Sequence, residues 1–502
     1  LAERLLMGMI DRALTTIAPR WVASRAEALV RIEQARTRSA SLRGIRAQYD
    51  GATASRRTQG WRHNARDANY ELQGAAAVLA QTARAMVRNN PYAERAVSAI
   101  ATDLVGAGIT FQVLRDGKPD PELNALAKRH FETTACDADG RQNLYGLQLL
   151  AARTVVESGA VLARNRPRFA RDGLPVPFQI QLLEPDHLDP TRNGVFDRGA
   201  YVSGIQVDQL GARQAYWLFP QHPGAAMQRD LLSTPVPVRD VLHVFRQDRP
   251  GQQHGASWFA PVILPMNDFR DYQDAQLLRQ KIAASWAVFR IGARGDDDDD
   301  QGELNDFIEP GLIEDVPVGT TIQFANPPGV DGYADFTKIS VRTFATGMNL
   351  PYDIFGDLEG VNYSSGRIGR IQYHRQLDSW TWNMLVPQFC EPAAAWFFRA
   401  AQLAGHDVDG CTMKWTPPAR PMLDLATEGP ATRDLVRAGL MDPETAIRER
   451  GEDPDTVLDA WQRWAEKVDA RKLTFDCDPR KVSQVGNALQ PSVGPDAPAK
   501  KD

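Results

Sequence analysis

Ser364 and Ser365, with His374 ten residues on, are the side chains whose types could best support a reaction. A serine hydroxyl activated by an imidazole, itself oriented by a carboxylate, is the nucleophile of acyl transfer. The spacing argues against it. On one continuous helix, ten residues span ~15 Å, far beyond a hydrogen bond, and no carboxylate is placed to complete a triad. The signatures G-x-S-x-G, H-E-x-x-H and G-x-x-x-x-G-K-[ST] do not occur. Asp296, Asp297, Asp298, Asp299 and Asp300 form a run that could suit calcium. With Gly302 at the turn position, however, Ile308 falls where the bidentate Glu belongs, so the register fails. Gly106 and Gly108 suggest a phosphate cradle, but they precede an alternating strand instead of opening a helix. His187 and His243 lie in or beside strands without partners at ligand spacing and read as structural. The expectation is a protein with no catalytic centre, no metal and no cofactor.

The cysteines, Cys136, Cys390, Cys411 and Cys477, are scattered with no C-x-x-C pair, and read as free, reduced thiols of an intracellular protein. At 502 residues the chain is too long for one simple core, and two or three packed regions are expected. Net charge is −5, so the chain as a whole lacks the basic excess of a protein that grips nucleic acid by its phosphates. No apolar run reaches the ~18 residues of a membrane span. The opening LAERLLMGMIDRALTTIAPR is amphipathic but broken by Asp11 and Arg12, a poor signal peptide. Residues 1–66 hold 13 Arg against 5 acids and read as a basic arm, suited equally to DNA or an acidic neighbour and to a solvated segment.

The elements that would carry these residues follow from periodicity. Leu72, Ala76, Leu79, Ala83 and Val87 recur at helical steps, and Asn90-Pro91 reads as a cap and first residue of the next helix. Two helices are expected over 121–160 and β-strands over 161–250. A long helix with a polar stripe follows in the stretch Ser257–Gly292, then two short strands after the Asp run. DFTKISVRTFATGMN returns as a helix. A second long helix starts at Ser364, with kinks expected at Pro387 and Pro392 and much aromatic area to bury. Between these helices lies GDLEGVNYSSGR (356–367), small, polar and rich in glycine, an unpackable segment beside the best helical region. Asp442-Pro443 and Asp453-Pro454 read as helix starts. The class is α+β, mainly helical.

Five segments, in order, carry a resemblance to the lambda-type portal proteins of tailed bacteriophages. They are Gly60-Trp61, RAMVRNNPYAERAV (84–97), VGAGI (105–109), HGASWFAPVILPMNDFRDYQDAQLLRQKIAA (254–284) and FATGMNLPYDIFGDLEGVNYSSGRIG (344–369). Together they span roughly residues 60–400. The Arg-rich arm, the Asp run and the C-terminus match less well.

The resemblance implies a head-tail connector: a ring, usually of twelve subunits, at one capsid vertex, through which double-stranded DNA enters and leaves. It also implies contacts with terminase, a head-tail adaptor and the major capsid protein, assembly in the host cytoplasm, and no membrane. The family plan then maps onto a basic arm (1–66), an α+β wing (67–256) and a first stem helix (257–292). A clip (293–334) carrying Asp296–Asp300 for partner docking and a second stem helix (335–350) come next. A channel loop (351–366), a long kinked helix (367–404), a helical crown (405–477) and a disordered tail (478–502) complete it. The loop residues expected to face DNA are Glu359, Asn362, Tyr363, Ser364 and Ser365, with Arg367 and Arg370 just behind. Those two arginines could meet phosphates or pair with Asp357 or Glu359 of a neighbour. The alternatives are another capsid-vertex or adaptor protein, or a DNA-packaging enzyme.

Overall fold

The computed structural model describes residues 65–481 together with Arg56 and Gly60, apart from 197–198, 227–231, 285–287, 292–312, 317–331, 356–362, 422–423, 476–477 and 479. The chain divides into two units, Leu1–Arg66 and Asp67–Asp502, and every element below lies in the second. The arm (1–66) and the tail after 481 therefore fall outside the described residues almost entirely.

The second unit opens with α1 (Ala68–Leu72), α2 (Ala75–Asn89) and α3 (Pro91–Val105). Asn90 caps α3 as expected: its side chain accepts from the Tyr92 and Ala93 amides, and Pro91 takes the first turn, where no amide proton is needed. The chain then turns through Gly106 and Gly108 into β1 (Thr110–Arg115) and β2 (Lys118–Pro119). Gly108 has φ +132°, and a Cβ there would lie 2.5 Å from the Tyr145 ring. These glycines serve a close chain crossing, which a side chain would block. Next come α4 (Pro121–Phe131) and α5 (Leu144–Ser158), capped by Asp120 and Asn143, then β3 (Ala160–Pro167) and β4 (Phe178–Leu183).

Strands β5 (Gly194–Phe196), β6 (Gly199–Val202), β7 (Ile205–Asp208), β8 (Arg213–Leu218) and β9 (Thr234–Pro237) form an antiparallel meander. It closes over a small core that includes Leu162, Ile205, Tyr216 and Leu218. Strand β10 (Val241–Phe245) pairs antiparallel with β3, which pairs with β4.

Helix α6 (Ile263–Ala284) runs beside α7 (Tyr333–Gly347). Two expectations change here. Helix begins only at Ile263, and Val288–Ile291 is a strand, β11, paired in parallel with β12 (Ile313–Val316). The reading of 257–292 as one helix rested on the uninterrupted run without Pro or Gly that follows Pro261 and Pro265. The sequence VFRI is β-branched and aromatic, and a partner strand decides in favour of extension. The rest of 292–331, including Asp296–Asp300, lies outside the described residues.

A single turn of 3₁₀ helix, Tyr352–Phe355, precedes residues 356–362, and α8 (Tyr363–Trp380) follows. The helix thus starts at Tyr363, earlier than the loop boundary of 366 expected from sequence. Past Trp380 the chain continues through a π-wound stretch, Thr381–Cys390, into α9 (Glu391–Leu403). The Glu391 amide bonds to the Val386 carbonyl, five residues back, and Pro387 sits inside the stretch. Wide winding is how the helix accommodates a residue that cannot donate. Strand β13 (Cys411–Thr416) returns to pair with β1, and α10 (Leu425–Arg437), α11 (Pro443–Arg448) and α12 (Pro454–Ala470) complete the chain.

The π-wound stretch and α9 share one core with α2–α5 and the β3 sheet. Trp258 and Trp380 meet with ring centroids 4.5 Å apart, and Phe131 and Phe397 at 5.2 Å. The Phe245 amide donates to Gln388 at 2.9 Å, and Trp396 Nε1 donates to the Arg239 carbonyl at 2.7 Å. Residues of 67–256 and of 367–404, assigned from the resemblance to a wing and a long helix, thus share one core.

Candidate functional site

The site is the frame around residues 356–362. Its entry side is Tyr352–Phe355 and its exit side the first turns of α8. Of the residues expected to line it, Glu359 and Asn362 lie outside the described residues. Tyr363, Ser364 and Ser365 form the first turn of α8, and their side chains are not among those described.

The frame itself is tied from three directions. Arg370 Nη2 on α8 lies 2.9 Å from Asp353 Oδ2 on the entry turn, so one ion pair joins the two ends of the loop. Arg95 Nε on α3 donates to the Ile354 carbonyl at 3.0 Å, and the Ile354 side chain is buried. Tyr92 packs its ring against Phe355, Phe344 and Phe269, which joins the entry turn to both α6 and α7. The Arg342 guanidinium lies over the Tyr352 ring at 5.2 Å. A part-buried hydrogen bond to the Ile354 carbonyl, an aromatic cluster and a charge pair restrain this turn more than any one of them could.

Helices α6 and α7 are held to each other by aromatic rings. Tyr272 meets Phe336 at 4.4 Å and stacks on Tyr333 at 6.0 Å, while Phe269 meets Phe344 at 5.6 Å. Gly347 ends α7 where a Cβ would lie 2.3 Å from Val262 Cγ1. Only glycine allows the helix to approach that closely.

The two arginines pair within the chain. Arg367 Nη2 lies 3.5 Å from Glu428 Oε1 on α10, and Arg370 is held by Asp353. Sequence reasoning offered Asp357 and Glu359 of a neighbour, and missed both observed partners. Asp353 is within PYDIF, close enough to be considered. Glu428 is 61 residues from Arg367 and had no signal.

One turn deeper, Arg420 donates to Asp378 at 2.9 Å and to the Asp103 carbonyl at the end of α3. His374 sits among Arg370, Asp378, Arg420 and Asp103, with its pKa lowered by burial first and by Arg420 second. The helix from Tyr363 to Trp380 is continuous, which separates Ser364 and Ser365 from His374 by ~15 Å. The hydrolase arrangement is therefore not assembled.

Other chemistry-bearing groups fall elsewhere. The His187 Nδ1 lies 3.2 Å from the Glu184 carbonyl, and His243 Nε2 lies 3.1 Å from His254 Nδ1. Among the described residues one trio, Glu184, Asp186 and His222, brings ligand atoms within 4.8 Å of one another. The Arg84 guanidinium binds both of its carboxylates, with Nη1 at 2.9 Å from Glu184, and already supplies positive charge there. Cys136, Cys390 and Cys411 are free thiols, and burial pushes the Cys136 thiol up to about 12. No described helix is long and apolar enough to cross a membrane.

The family model described as phage portal protein, lambda family, matches residues 54–381. A probable portal protein of Halomonas phage phiHAP-1 is 27% identical over 440 residues, covering 81% of this chain and 84% of the relative. Two solved structures are also similar. One is from the neck of a native gene transfer agent particle computed with C12 symmetry. It has TM-score 0.40 and 14% identity, over 76% of this chain and 94% of that one. The other is from the neck of the empty particle computed with C6 symmetry, with TM-score 0.38, 14% identity and the same coverage.

Proposed function

The chain belongs to the lambda family of phage portal proteins, and from that premise we propose that its copies close into a ring, of twelve subunits, at one capsid vertex. Double-stranded DNA passes through this ring during packaging and ejection, and the chain itself catalyses nothing. The paired helices α6 and α7 serve as the stem and residues 67–256 as the wing. Residues 356–362 form the channel loop, α8 to α9 the long helix, and α10–α12 the crown. Asp296–Asp300 belong to a clip that docks terminase and the head-tail adaptor, and the major capsid protein surrounds the ring.

The observation that carries the reading is the state of the charges behind the loop. Arg367 and Arg370, the two arginines that follow the loop in sequence, each face a carboxylate of their own chain. Each phosphate contact that a protein makes strengthens binding and steepens its salt dependence. Arginines neutralised by Glu428 and Asp353 make weak contacts, so DNA can slide. The total charge acts in the same sense: at −5 per chain, twelve copies carry about −60.

Imaging of the purified chain by negative stain is the test. Wide rings with a central hole near duplex width are expected. A species that stays monomeric, or a hole too narrow for a double helix, would overturn the proposal. Vigorous ATP turnover, with or without DNA, would favour a packaging enzyme instead. A vertex adaptor would give an assembly without such a hole.

A further inference from the structure

One face of the β10–β3–β4 sheet carries a row of arginines. Leu162 on β3 is buried in the small core beneath the meander. The next positions on that face are Arg164, Arg166 and, just past the strand, Arg168. Side chains two residues apart on a strand share one side, ~6.6 Å from each other. Two of these arginines are held in one repeated way. Gln181 lies opposite Arg164, and Gln179 opposite Arg166. Arg166 Nε donates to Gln181 Oε1 at 2.7 Å, and Arg168 Nε to Gln179 Oε1 at 2.6 Å. Gln179 is itself anchored, its Nε2 donating to the Ala135 and Asp137 carbonyls at 3.1 and 2.8 Å.

A guanidinium bonded at Nε keeps both Nη groups, the fork that meets an oxyanion with two hydrogen bonds. Among the described residues no carboxylate lies within ion-pair reach of Arg164, Arg166 or Arg168. Asp240, the acid that acts on Arg164 at longer range, is taken by Arg399 at 2.8 Å and by Arg239 at 3.6 Å. Asp172, beyond the far end of the row, accepts from the Phe169 amide, and Arg171 there lies over the exposed Phe169 ring. Burial, and then the like charges of Arg164 and Arg168, lower the Arg166 pKa. In a chain of net charge −5 this is a local concentration of cations that repel one another.

The place of the row in the sheet limits what can occupy it. Strand β3 is central, with β10 on one side and β4 on the other. A peptide therefore cannot add to it as a further strand. The groups between the arginines are glutamine amides, which give the apolar side chains of a peptide little to bury against, and a flexible acidic peptide would also lose entropy on ordering. A duplex presents its phosphates as a stiff array already in order, and needs only cations to meet them.

We propose that Arg164, Arg166 and Arg168 form a second DNA contact, carried by β3 and not by the loop at 356–362, which grips the phosphate backbone of a duplex lying across the sheet. The inference takes from the proposed function only that duplex DNA is at hand, and it holds for a single copy as for a ring. Contacts of this type fix the position of a duplex without reading its sequence.

Filter binding of the full-length chain to relaxed, covalently closed circular duplex is the test, because a closed circle cannot thread a ring already formed. Circular dichroism and negative stain follow the fold and assembly of each variant. The parent is expected to bind circles at about 50 mM salt and to release them as salt rises. Arg166→Gln combined with Arg168→Gln should lower the slope of log affinity against log salt by about two, and weaken binding at least about tenfold. Arg166→Lys should keep the slope and weaken binding a few-fold, since the charge stays and the fork is lost. Arg433→Gln, which removes an exposed arginine of α10, should leave the slope unchanged. Equal slopes for parent and double variant, or no binding of circles by the parent at low salt, would overturn the contact. An equal fall for Arg433→Gln would assign the effect to net charge and overturn it too. So would loss of rings in the double variant with circle binding intact, which would assign the row to an acidic surface of a neighbouring copy. A parent that binds circles through the row yet forms no rings would overturn the ring and leave this contact standing.

Discussion

Arg370 on α8 reaches back seventeen residues to Asp353, Nη2 to Oδ2 at 2.9 Å, and so joins the two ends of the segment between Phe355 and Tyr363. The Asp353 side chain is mostly shielded, 14% exposed, and the Arg370 side chain is 39% exposed. The pair sits where solvent still screens it, so its effect is on geometry more than on stability.

Asp353→Asn should therefore cost no more than ~1 kcal/mol in thermal or chemical unfolding. It should also release Arg370 toward DNA. The expected phenotype is intact rings that bind duplex more tightly, with a steeper salt dependence, and package it more slowly. Filter binding across a salt series, on the variant and on Arg370→Gln, checks this. Equal slopes for parent and Asp353→Asn would refute it.

Removal of residues 359–362 is expected to leave rings intact and to impair packaging or retention of DNA. The deletion stops before Tyr363 because the helix begins there. A deletion through Ser365 would also remove its first turn. Loss of assembly in the shorter deletant would mean that the segment is structural.

At Gly347 the approach of α7 to Val262 leaves no room for a methyl group. Gly347→Ala should destabilise the fold by about 1–3 kcal/mol by overpacking. Val262→Ala added to it should recover a large part of that loss, measured as a double-mutant cycle in urea. Additive losses would show that the strain lies elsewhere.

His130 is buried against Phe131, Phe178 and Phe397, with neither ring nitrogen hydrogen-bonded. Burial holds its pKa down to about 4. The unfolded chain takes up this proton near pH 6.5, and the folded chain only near 4. Stability is thus complete above ~6.5 and declines as pH falls toward 4, by up to ~1.4 kcal/mol per pH unit from this group. His130→Phe should be neutral or stabilising at pH 7 and should flatten that decline. Melting temperatures at pH 7, 6 and 5 decide the matter. An unchanged pH slope would assign the acid sensitivity to other groups such as His254, whose pKa is also lowered by burial to about 4.

Much of this molecule was determined by sequence acting locally. Caps at Asn90, Asp442 and Asp453 satisfy amides two or three residues away, and a proline in the next position needs no hydrogen bond. Such starts depend on nearest neighbours alone, so the letters are enough. The order of elements, and the family to which five spaced segments point, were legible in the same way. Tertiary structure decided what depends on distant partners. Val288–Ile291 is a strand because Ile313–Val316 lies beside it, and Arg367 finds Glu428 because the fold brings α10 within ion-pair reach of α8. Pro387 is taken up in a wide turn within a helix packed against the strand that carries Phe245. Pairing and packing energies of that kind are set by groups far apart along the chain, and no local pattern carries their values.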